Sequence, residues 1–246
     1  MSTYDPSVSV VNIDSTLNLR DLGGMPISDG KVFPYKKFLR SGTLSDVNPE
    51  ALEKLKEYGV TTVVDLRSVA EFRNYGSPAY DDKDIKFYNI PLFVGDPDAE
   101  EDPTMIFLRT HYLGDFYVLV MEELGTEIVK VLNILAQAKG CSLYHCAHGK
   151  DRTGIISAIL YLLVGAEREH IIRNYEFSYE HIKWFLDPLI EKREENSKHT
   201  LRSDRINMEI MLDYIDDKFD GDICKYLIQN GMTEQEIEAL RNKILS

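Results

Sequence analysis

The pattern of apolar and polar positions along this 246-residue chain predicts an alternation of strands and helices. β-Branched residues dominate the stretch from Val60 to Leu66, which is typical of a buried strand. A short apolar run, Cys141 to Tyr144, comes shortly before the apolar stretch from Ile155 to Leu163, and these segments predict a buried strand and a buried helix. The order strand, helix, strand in the first half of the chain predicts a sheet with parallel pairs.

Capping residues mark the ends of several further helices. Polar side chains that accept hydrogen bonds from free amides begin a helix, and glycine commonly follows its end. Such signals predict helices that begin after Asn48, Ser68 and Thr233, the first of which ends before Gly59, and another helix starts at Thr126 and ends before Gly140. Weaker patterns predict an edge strand within residues 1–17, hairpin-like alternation from Lys31 to Arg40, a helix from Met105 to Leu124, a helix from Tyr179 to Glu195 kinked at Pro188, and a polar break from Ser197 to Ser203.

Composition and charge narrow the classes of function. The formal net charge of −13 argues against nucleic acid and anionic membranes as general partners. No apolar run approaches the roughly 20 residues that a membrane-spanning helix needs, and the start of the chain has no pattern of a conventional signal peptide. Three cysteines make a poor disulfide framework, which favours a reducing compartment and thus the cytoplasm, with non-classical secretion as the alternative. We expect one domain over residues 1–246.

Candidate chemistry is concentrated in residues 145–154, His-Cys-Ala-His-Gly-Lys-Asp-Arg-Thr-Gly, between the strand that begins at Cys141 and the apolar helix. The amides of a tight turn and of a first helical turn point into one concavity, which favours an anion. The same field stabilises a thiolate on Cys146, and Arg152 can hold two oxygens of a phosphate. Gly149 permits the tight turn of the backbone.

This segment resembles the Cys-x5-Arg signature of cysteine-dependent protein tyrosine phosphatases. Its Gly-Lys-Asp-Arg-Thr-Gly form is similar to an atypical bacterial branch with tyrosine, dual-specificity or phosphoinositide activity. Asn18 to Gly24 is similar to the Asn-Phe-Arg-Asp-Leu-Gly-Gly motif of that branch, with Leu19 in place of Phe. The other similar segments are 40–42, 64–68 with Glu71, 89–92 and about 231–245, so the resemblance spans nearly the whole chain.

The resemblance and the local chemistry together assign roles within the segment. Cys146 is the expected nucleophile, and Arg152 is expected to bind phosphate and to stabilise the transition state. Thr153 is placed to donate to Cys146 as the thiolate leaves, or to cap the helix. The residues expected to surround the phosphate are Ala147, His148, Gly149, Lys150, Asp151, Arg152 and Thr153.

The general acid has three candidates. The resemblance implies that Asp151 protonates the leaving oxygen, since the sequence has no Trp-Pro-Asp acid loop. Asp96 and Asp102 are competitors, because each precedes a proline in an acidic loop that can close over the site. A solvated loop is the simpler interpretation of those two residues.

Residues around the loop carry less specific predictions. Lys150 is either a ligand for a second phosphate, as in phosphoinositide phosphatases of similar sequence, or a solvated loop end. His148 contacts substrate or nothing, and His145 orients the loop through hydrogen bonds. Five further residues that match family motifs are expected to brace the site by ion pairs: Arg20, Asp21, Asp65, Arg67 and Glu71.

These inferences predict a single α/β domain with a central, mostly parallel sheet, a fold like that of protein tyrosine phosphatases, and a helical cover within about 179–204. The expected reaction is hydrolysis of a phosphate monoester without metal or other cofactor. The leading expected substrate is phosphotyrosine on protein. Dual-specificity and phosphoinositide activity are alternatives, as is a non-catalytic phosphate-binding module. A metal site at His145, Cys146 and His148 has poor ligand spacing and no distant Cys-x-x-Cys to complete it.

Overall fold

The computed structural model of the chain describes residues 4–97, 99 and 101–246, and a five-stranded sheet lies at its centre. The strands are β1 (Arg20–Asp21), β2 (Phe38–Ser41), β3 (Val60–Asp65), β4 (Lys86–Asn89) and β5 (Cys141–His145). They lie in the order β1-β2-β5-β3-β4, and only the β1–β2 pair is antiparallel among the described strands. The prediction of a mostly parallel central sheet is therefore confirmed.

The parallel register brings the carboxyl ends of four strands to one edge of the sheet. Ser41 and Asp65 both pair with His145, the last residue of β5, and Asn89 pairs with Asp65. The chain that follows β5 therefore emerges between the ends of β2 and β3. In open α/β sheets, ligands bind outside this edge.

Helices cover both faces of the sheet. They are α1 (Pro49–Tyr58), α2 (Val69–Tyr75), α3 (Pro103–Phe107), α4 (Leu113–Glu123), α5 (Gly125–Gln137), α6 (Asp151–Leu163), α7 (Arg168–Glu191), α8 (Arg205–Phe219), α9 (Ile223–Gln229) and α10 (Glu234–Leu245). Capping signals at Asn48, Ser68 and Thr233 are present as predicted. Within the described residues, no helix combines the length and the apolar character that a membrane span needs.

The alternation of side chains along the central strands divides the core into two layers. Val63 and Leu143 point to one face, where they pack in the cluster that includes Leu52 and Leu55 of α1. Val64 and Tyr144 point to the opposite face and join the larger cluster around α6, which is buried along nearly its whole length. The expected buried helix from Ile155 to Leu163 is thus the inner part of α6.

Three predicted elements differ from the structure. Residues 31–40 contain most of β2 and an antiparallel bridge from Val32 to Pro26, so they pair with the segment before them and form no hairpin within this range. The described part of residues 1–17 has a short 3₁₀ helix and a single bridge from Val10 to Arg20 in place of an edge strand. The helix predicted over 105–124 is two helices, because the Asp115 carboxylate accepts from the Tyr112 amide and starts α4 afresh.

Helix α7 changes direction at a residue other than the predicted proline. Ile182 has non-helical dihedral angles (φ −114°, ψ 22°), whereas Pro188 lies within the helix. Ile182 packs with Leu186, Ile190 and Leu201 in a small separate cluster, and this burial accompanies the bend. Leu201 belongs to a 3₁₀ helix, Glu195–Leu201, which occupies much of the predicted polar break.

Candidate active site

Residues Cys146–Arg152, which we call the signature loop, connect β5 to α6 at the carboxyl edge of the sheet. The loop presses against the end of β2. At Gly149, where φ is +68°, an added Cβ would lie 2.5–2.6 Å from backbone atoms of Ser41 and Gly42. Only glycine combines this conformation with so close an approach.

The loop backbone offers free hydrogen-bond donors. Among the described residues, the amides of residues 148–150 donate to no protein acceptor. They precede α6, whose N-terminus carries the positive end of the helix dipole. Together these groups make a concavity suited to an anion. The Thr153 hydroxyl is buried and has no partner among the described residues, so it too is available at this helix end.

Arg152 is fixed by a carboxylate from a distant element. Its Nη1 and Nη2 donate to Glu71 Oε2 at 2.6 Å and Oε1 at 3.0 Å. Glu71 also accepts from the Ser68 amide at 2.8 Å, which closes the capping box of α2. Burial alone would raise the pKa of Glu71, but the charge and hydrogen bonds of Arg152, the Ser68 amide and the charge of Arg67 together lower it. The guanidinium also lies 5.7 Å from the centre of the Phe93 ring.

Asp151 belongs to a chain of buried hydroxyl groups. Its Oδ1 accepts from Tyr117 Oη at 2.5 Å, and Tyr117 Oη lies 2.6 Å from Tyr175 Oη. Burial raises the pKa of Tyr117, so the phenol remains protonated and donates to the carboxylate. Asn207 Nδ2 donates to Tyr175 at 3.3 Å. Sequence reasoning missed both tyrosines, because each lies within a helix and has the pattern of an ordinary core aromatic residue.

Lys150 is fully buried, and the prediction of a solvated loop end is wrong for it. Its Nζ lies 3.1 Å from Asp151 Oδ2 and donates to the carbonyl of Thr200 at 3.3 Å. The ammonium therefore joins the start of α6 to the 3₁₀ helix that follows α7. His148 lies two positions before Lys150 and is half-buried. Burial lowers the pKa of His148 to about 4. Its ring centre lies 6.0 Å from that of Phe185.

The expected brace is present on the β3 side. Arg67 Nη2 and Asp65 Oδ2 lie 2.7 Å apart in a buried ion pair. The same carboxylate oxygen lies 3.7 Å from Nε2 of His145, whose Nδ1 is 3.2 Å from the Cys146 carbonyl. Burial lowers the pKa of His145, so the ring is neutral near pH 7 and orients the loop by hydrogen bonding.

Arg20 and Asp21 do not form the expected ion pairs in the described structure. Arg20 donates to the Asn174 carbonyl at 3.0 Å and to Ser178 Oγ at 2.6 Å. Its pKa is lowered to about 9, first by burial and then by the charge of a second arginine, Arg40. Asp21 instead accepts from the amides of Gly23 and Lys36 and from the Tyr58 hydroxyl at the end of α1.

The other candidate acids are held within their own loop. Asp102 caps α3 and accepts from the amides of Thr104 and Asp96 at 2.9 and 3.0 Å. Both of its carboxylate oxygens are therefore engaged with the backbone. Among the described residues, no group of three His, Cys, Asp or Glu side chains has an arrangement that could hold a metal.

Three curated proteins are similar to part of the chain. It is 30% identical over 162 residues to a tyrosine-protein phosphatase of Nostoc commune, an alignment that covers 64% of this chain and 53% of that protein. It is 29% identical over 168 residues to a protein of Cupriavidus necator provisionally named a tyrosine-protein phosphatase, with 66% and 60% covered. The triple specificity protein phosphatase PtpB of Mycobacterium tuberculosis is 26% identical over 196 residues, with 68% of each covered.

The chain thus spans little more than half the length of the first two relatives. A model of the tyrosine phosphatase family, in contrast, matches residues 11–246. This match includes the whole sheet, the signature loop and the helices around it. The chain therefore belongs to the tyrosine phosphatase family.

Proposed function

We propose that this chain hydrolyses phosphate monoesters by means of Cys146, and that its main substrate is phosphotyrosine on protein. The observation that supports this most directly is the position of Cys146 beside free loop amides and an arginine that Glu71 already orients. A phosphate in the loop would meet donors at the positions of its equatorial oxygens, where charge accumulates in the transition state.

In the proposed reaction, the Cys146 thiolate attacks phosphorus in line, and the bond from phosphorus to the leaving oxygen breaks. Asp151 transfers its proton to that oxygen, which leaves as tyrosine. The ionised Asp151 then takes a proton from a water molecule, which attacks the phosphocysteine and releases inorganic phosphate. Thr153 would donate its hydroxyl hydrogen to the departing thiolate, and Arg152 would bind the phosphoryl oxygens throughout.

Geometry favours Asp151 over the two loop carboxylates as the general acid. Asp151 lies in the loop itself, at the first position of α6, and Tyr117 and Lys150 orient its side chain. Asp102, in contrast, is engaged with two amides of its own loop, one of which belongs to Asp96. Moving Asp102 to the substrate would break the cap of α3.

Hydrolysis measured in the presence of EDTA tests the proposal. Wild type and Cys146→Ser would be compared on a phosphotyrosine peptide, a phosphoserine peptide and a phosphoinositide. We expect turnover that resists EDTA, is lost in Cys146→Ser and is fastest with phosphotyrosine. A preference for the phosphoserine peptide or for the phosphoinositide would favour the dual-specificity or the lipid alternative, and the relative PtpB is itself named a triple specificity phosphatase. Absent turnover with retained phosphotyrosine binding by Cys146→Ser would favour a binding module.

We also propose that the chain acts as one phosphatase domain in which residues 179–204 cover the site. Two contacts support this cover: Lys150 donates to the Thr200 carbonyl, and the Phe185 ring lies beside His148. Phe185→Ala should then speed alkylation of Cys146 by iodoacetamide. Trp184→Ala is a matched control, because this neighbouring ring is 73% exposed. Equal alkylation rates in wild type and both variants would contradict the cover.

The proposed location is the cytoplasm. The described structure contains three free cysteines, and the proposed nucleophile acts only as a thiolate. A reducing compartment keeps such thiols available. Fractionation of the native cells with detection of the protein in each fraction would test this placement.

A further inference from the structure

Residues from two other segments hold the carbonyl groups of the signature loop. Thr43 lies just beyond β2, Arg40 lies within it, and Asn18 precedes β1. The contacts are Thr43 N to Ala147 O at 2.8 Å, Asn18 Nδ2 to His148 O at 3.0 Å and Gly149 O at 3.1 Å, and Arg40 Nη2 to Gly149 O at 2.8 Å and Lys150 O at 3.5 Å. Four consecutive carbonyls are therefore engaged from outside the loop.

This arrangement determines where the loop amides point. In a trans peptide, the N–H of one residue lies opposite the carbonyl of the residue before it, and the described chain has no cis bond. Engagement of the carbonyls of residues 147–150 on one side therefore turns the amides of residues 148–151 to the other. The amides of residues 148–150 are the donors that lack a protein acceptor in the described structure.

Arg40 is unusual because it is buried without a carboxylate. It is 1% exposed, and its neighbour Arg20 is fully buried. Neither guanidinium has an acidic side chain within 4.0 Å among the described residues. Apart from the loop carbonyls, Arg40 donates to Asn174 Oδ1 at 2.9 Å and to Ser178 Oγ at 3.3 Å. An unpaired buried cation is costly, so the position indicates a requirement beyond packing.

We propose that Arg40 and Asn18 are positioning residues that hold the signature loop in its phosphate-binding conformation. This role rests on the proposed phosphatase function. Neither residue touches the substrate. Each binds carbonyls of the loop so that its amides remain directed at the phosphate, and the charge of Arg40 adds to the positive field at the loop. Loss of either residue weakens the binding of the ground state and of the transition state.

Two near-isosteric variants test this role. Arg40→Met keeps the volume and removes the donors. Asn18→Asp keeps a side chain that tolerates the φ of 55° at this position and replaces the donating amide by a carboxylate oxygen. Protection of Cys146 from iodoacetamide by inorganic phosphate gives Kd without turnover. We expect Kd, and KM for a phosphate ester, to rise about tenfold in each variant, as expected for a lost charged or paired hydrogen bond.

Tyr161→Phe is the matched control, because this buried hydroxyl donates to the Leu22 carbonyl, outside the loop. It should leave Kd within about twofold of wild type while lowering thermal stability. If Arg40→Met does not fold, Arg40→Lys, which keeps the charge and one donor, should give an intermediate Kd. Wild-type Kd in the folded Arg40 and Asn18 variants would overturn the proposal. Wild type that binds phosphate without hydrolysing esters would instead overturn the phosphatase function and leave the positioning role measurable.

Discussion

At the scale of single residues, Asp151 is held through both of its carboxylate oxygens. The Tyr117 hydroxyl donates to one carboxylate oxygen, and Lys150 lies 3.1 Å from the other. In the proposed reaction, both contacts fix the position of the carboxyl group that gives its proton to the leaving oxygen. The family resemblance implied Asp151 as the general acid. The Tyr117 hydroxyl that orients it belongs to α4, in which no family motif was recognised.

Asp151→Asn should slow the hydrolysis of aryl phosphates with poor leaving groups about 10²–10⁴-fold, since these need the proton most. Aryl phosphates with good leaving groups should be slowed much less. The measurement is kcat for a series of aryl phosphates, with binding of inorganic phosphate as the control for an intact loop. Equal slowing across the series would move the role to another residue.

Tyr117→Phe removes one hydroxyl from the chain that orients Asp151. Because a buried hydrogen bond to a charged group is lost, kcat for poor leaving groups should fall about tenfold. Tyr226→Phe is a suitable control, since its buried hydroxyl donates to the Met121 carbonyl and is not part of the hydroxyl chain at Asp151. If both variants keep wild-type kcat, the hydroxyl chain serves stability alone.

At the scale of elements, the sequence predicted what is local to the loop and some of the residues that brace it, but not which groups pair across elements. The strand, the turn and the apolar helix around Cys146 are adjacent in the chain, so their pattern was sufficient. The partners of the loop are distant: Glu71 is 81 positions from Arg152, and Arg40 is 109 positions from Gly149. Two signals did point to Glu71: Ser68-x-x-Glu71 has the form of a capping box, and Glu71 matches a family motif expected to brace the site by ion pairs. Neither signal identified Arg152 as its partner.

Glu71→Gln separates the two tasks of this carboxylate. Glutamine still completes a capping box, so α2 should form normally. The charge that fixes Arg152 is lost, so kcat/KM should fall about 10–100-fold, as expected for a hydrogen-bonded pair of buried charges. Circular dichroism checks the fold, and steady-state kinetics measures the loss. An unchanged kcat/KM would show that Arg152 is held by the loop alone.

At the scale of the whole molecule, the parallel sheet followed from the order of apolar runs, and its register explains why the site is at one edge. The elements that were predicted wrongly are those with weak periodicity. The apolar alternation of residues 31–40 is typical of a hairpin, yet only residues from Phe38 onwards belong to the sheet. There β2 pairs with β1 and β5. The bend of α7 depends on the tertiary burial of Ile182, which no local pattern near Pro188 contains.

The molecule should lose stability as the pH falls below about 6.5. The pKa values of His145 and His148 are lowered by burial, so the unfolded chain takes up protons there before the folded one does. The pKa values of Asp65 and Glu71 are lowered despite burial, which extends the loss to more acidic pH. A group whose pKa is lower in the folded state contributes stability in full above its unfolded pKa, and this contribution is lost as the pH falls through its folded pKa.

Urea unfolding at about pH 7.5 and about pH 4.5 measures this dependence. His148→Gln removes one of the titrating groups, so its stability should fall less between the two pH values than that of wild type. Comparing the two proteins cancels the general effect of protonating the many surface carboxylates of this acidic chain. The same fall in both proteins would show that His148 titrates alike in the folded and unfolded states.

The most direct test of the account is to trap the proposed covalent intermediate on Cys146. Wild type turning over a phosphotyrosine peptide would be quenched rapidly, and its peptides analysed by mass spectrometry, with Cys146→Ser treated in the same way. The account predicts that the peptide containing Cys146 gains the mass of one phosphoryl group, and that Cys146→Ser shows neither this product nor turnover. Continued hydrolysis by Cys146→Ser would contradict it.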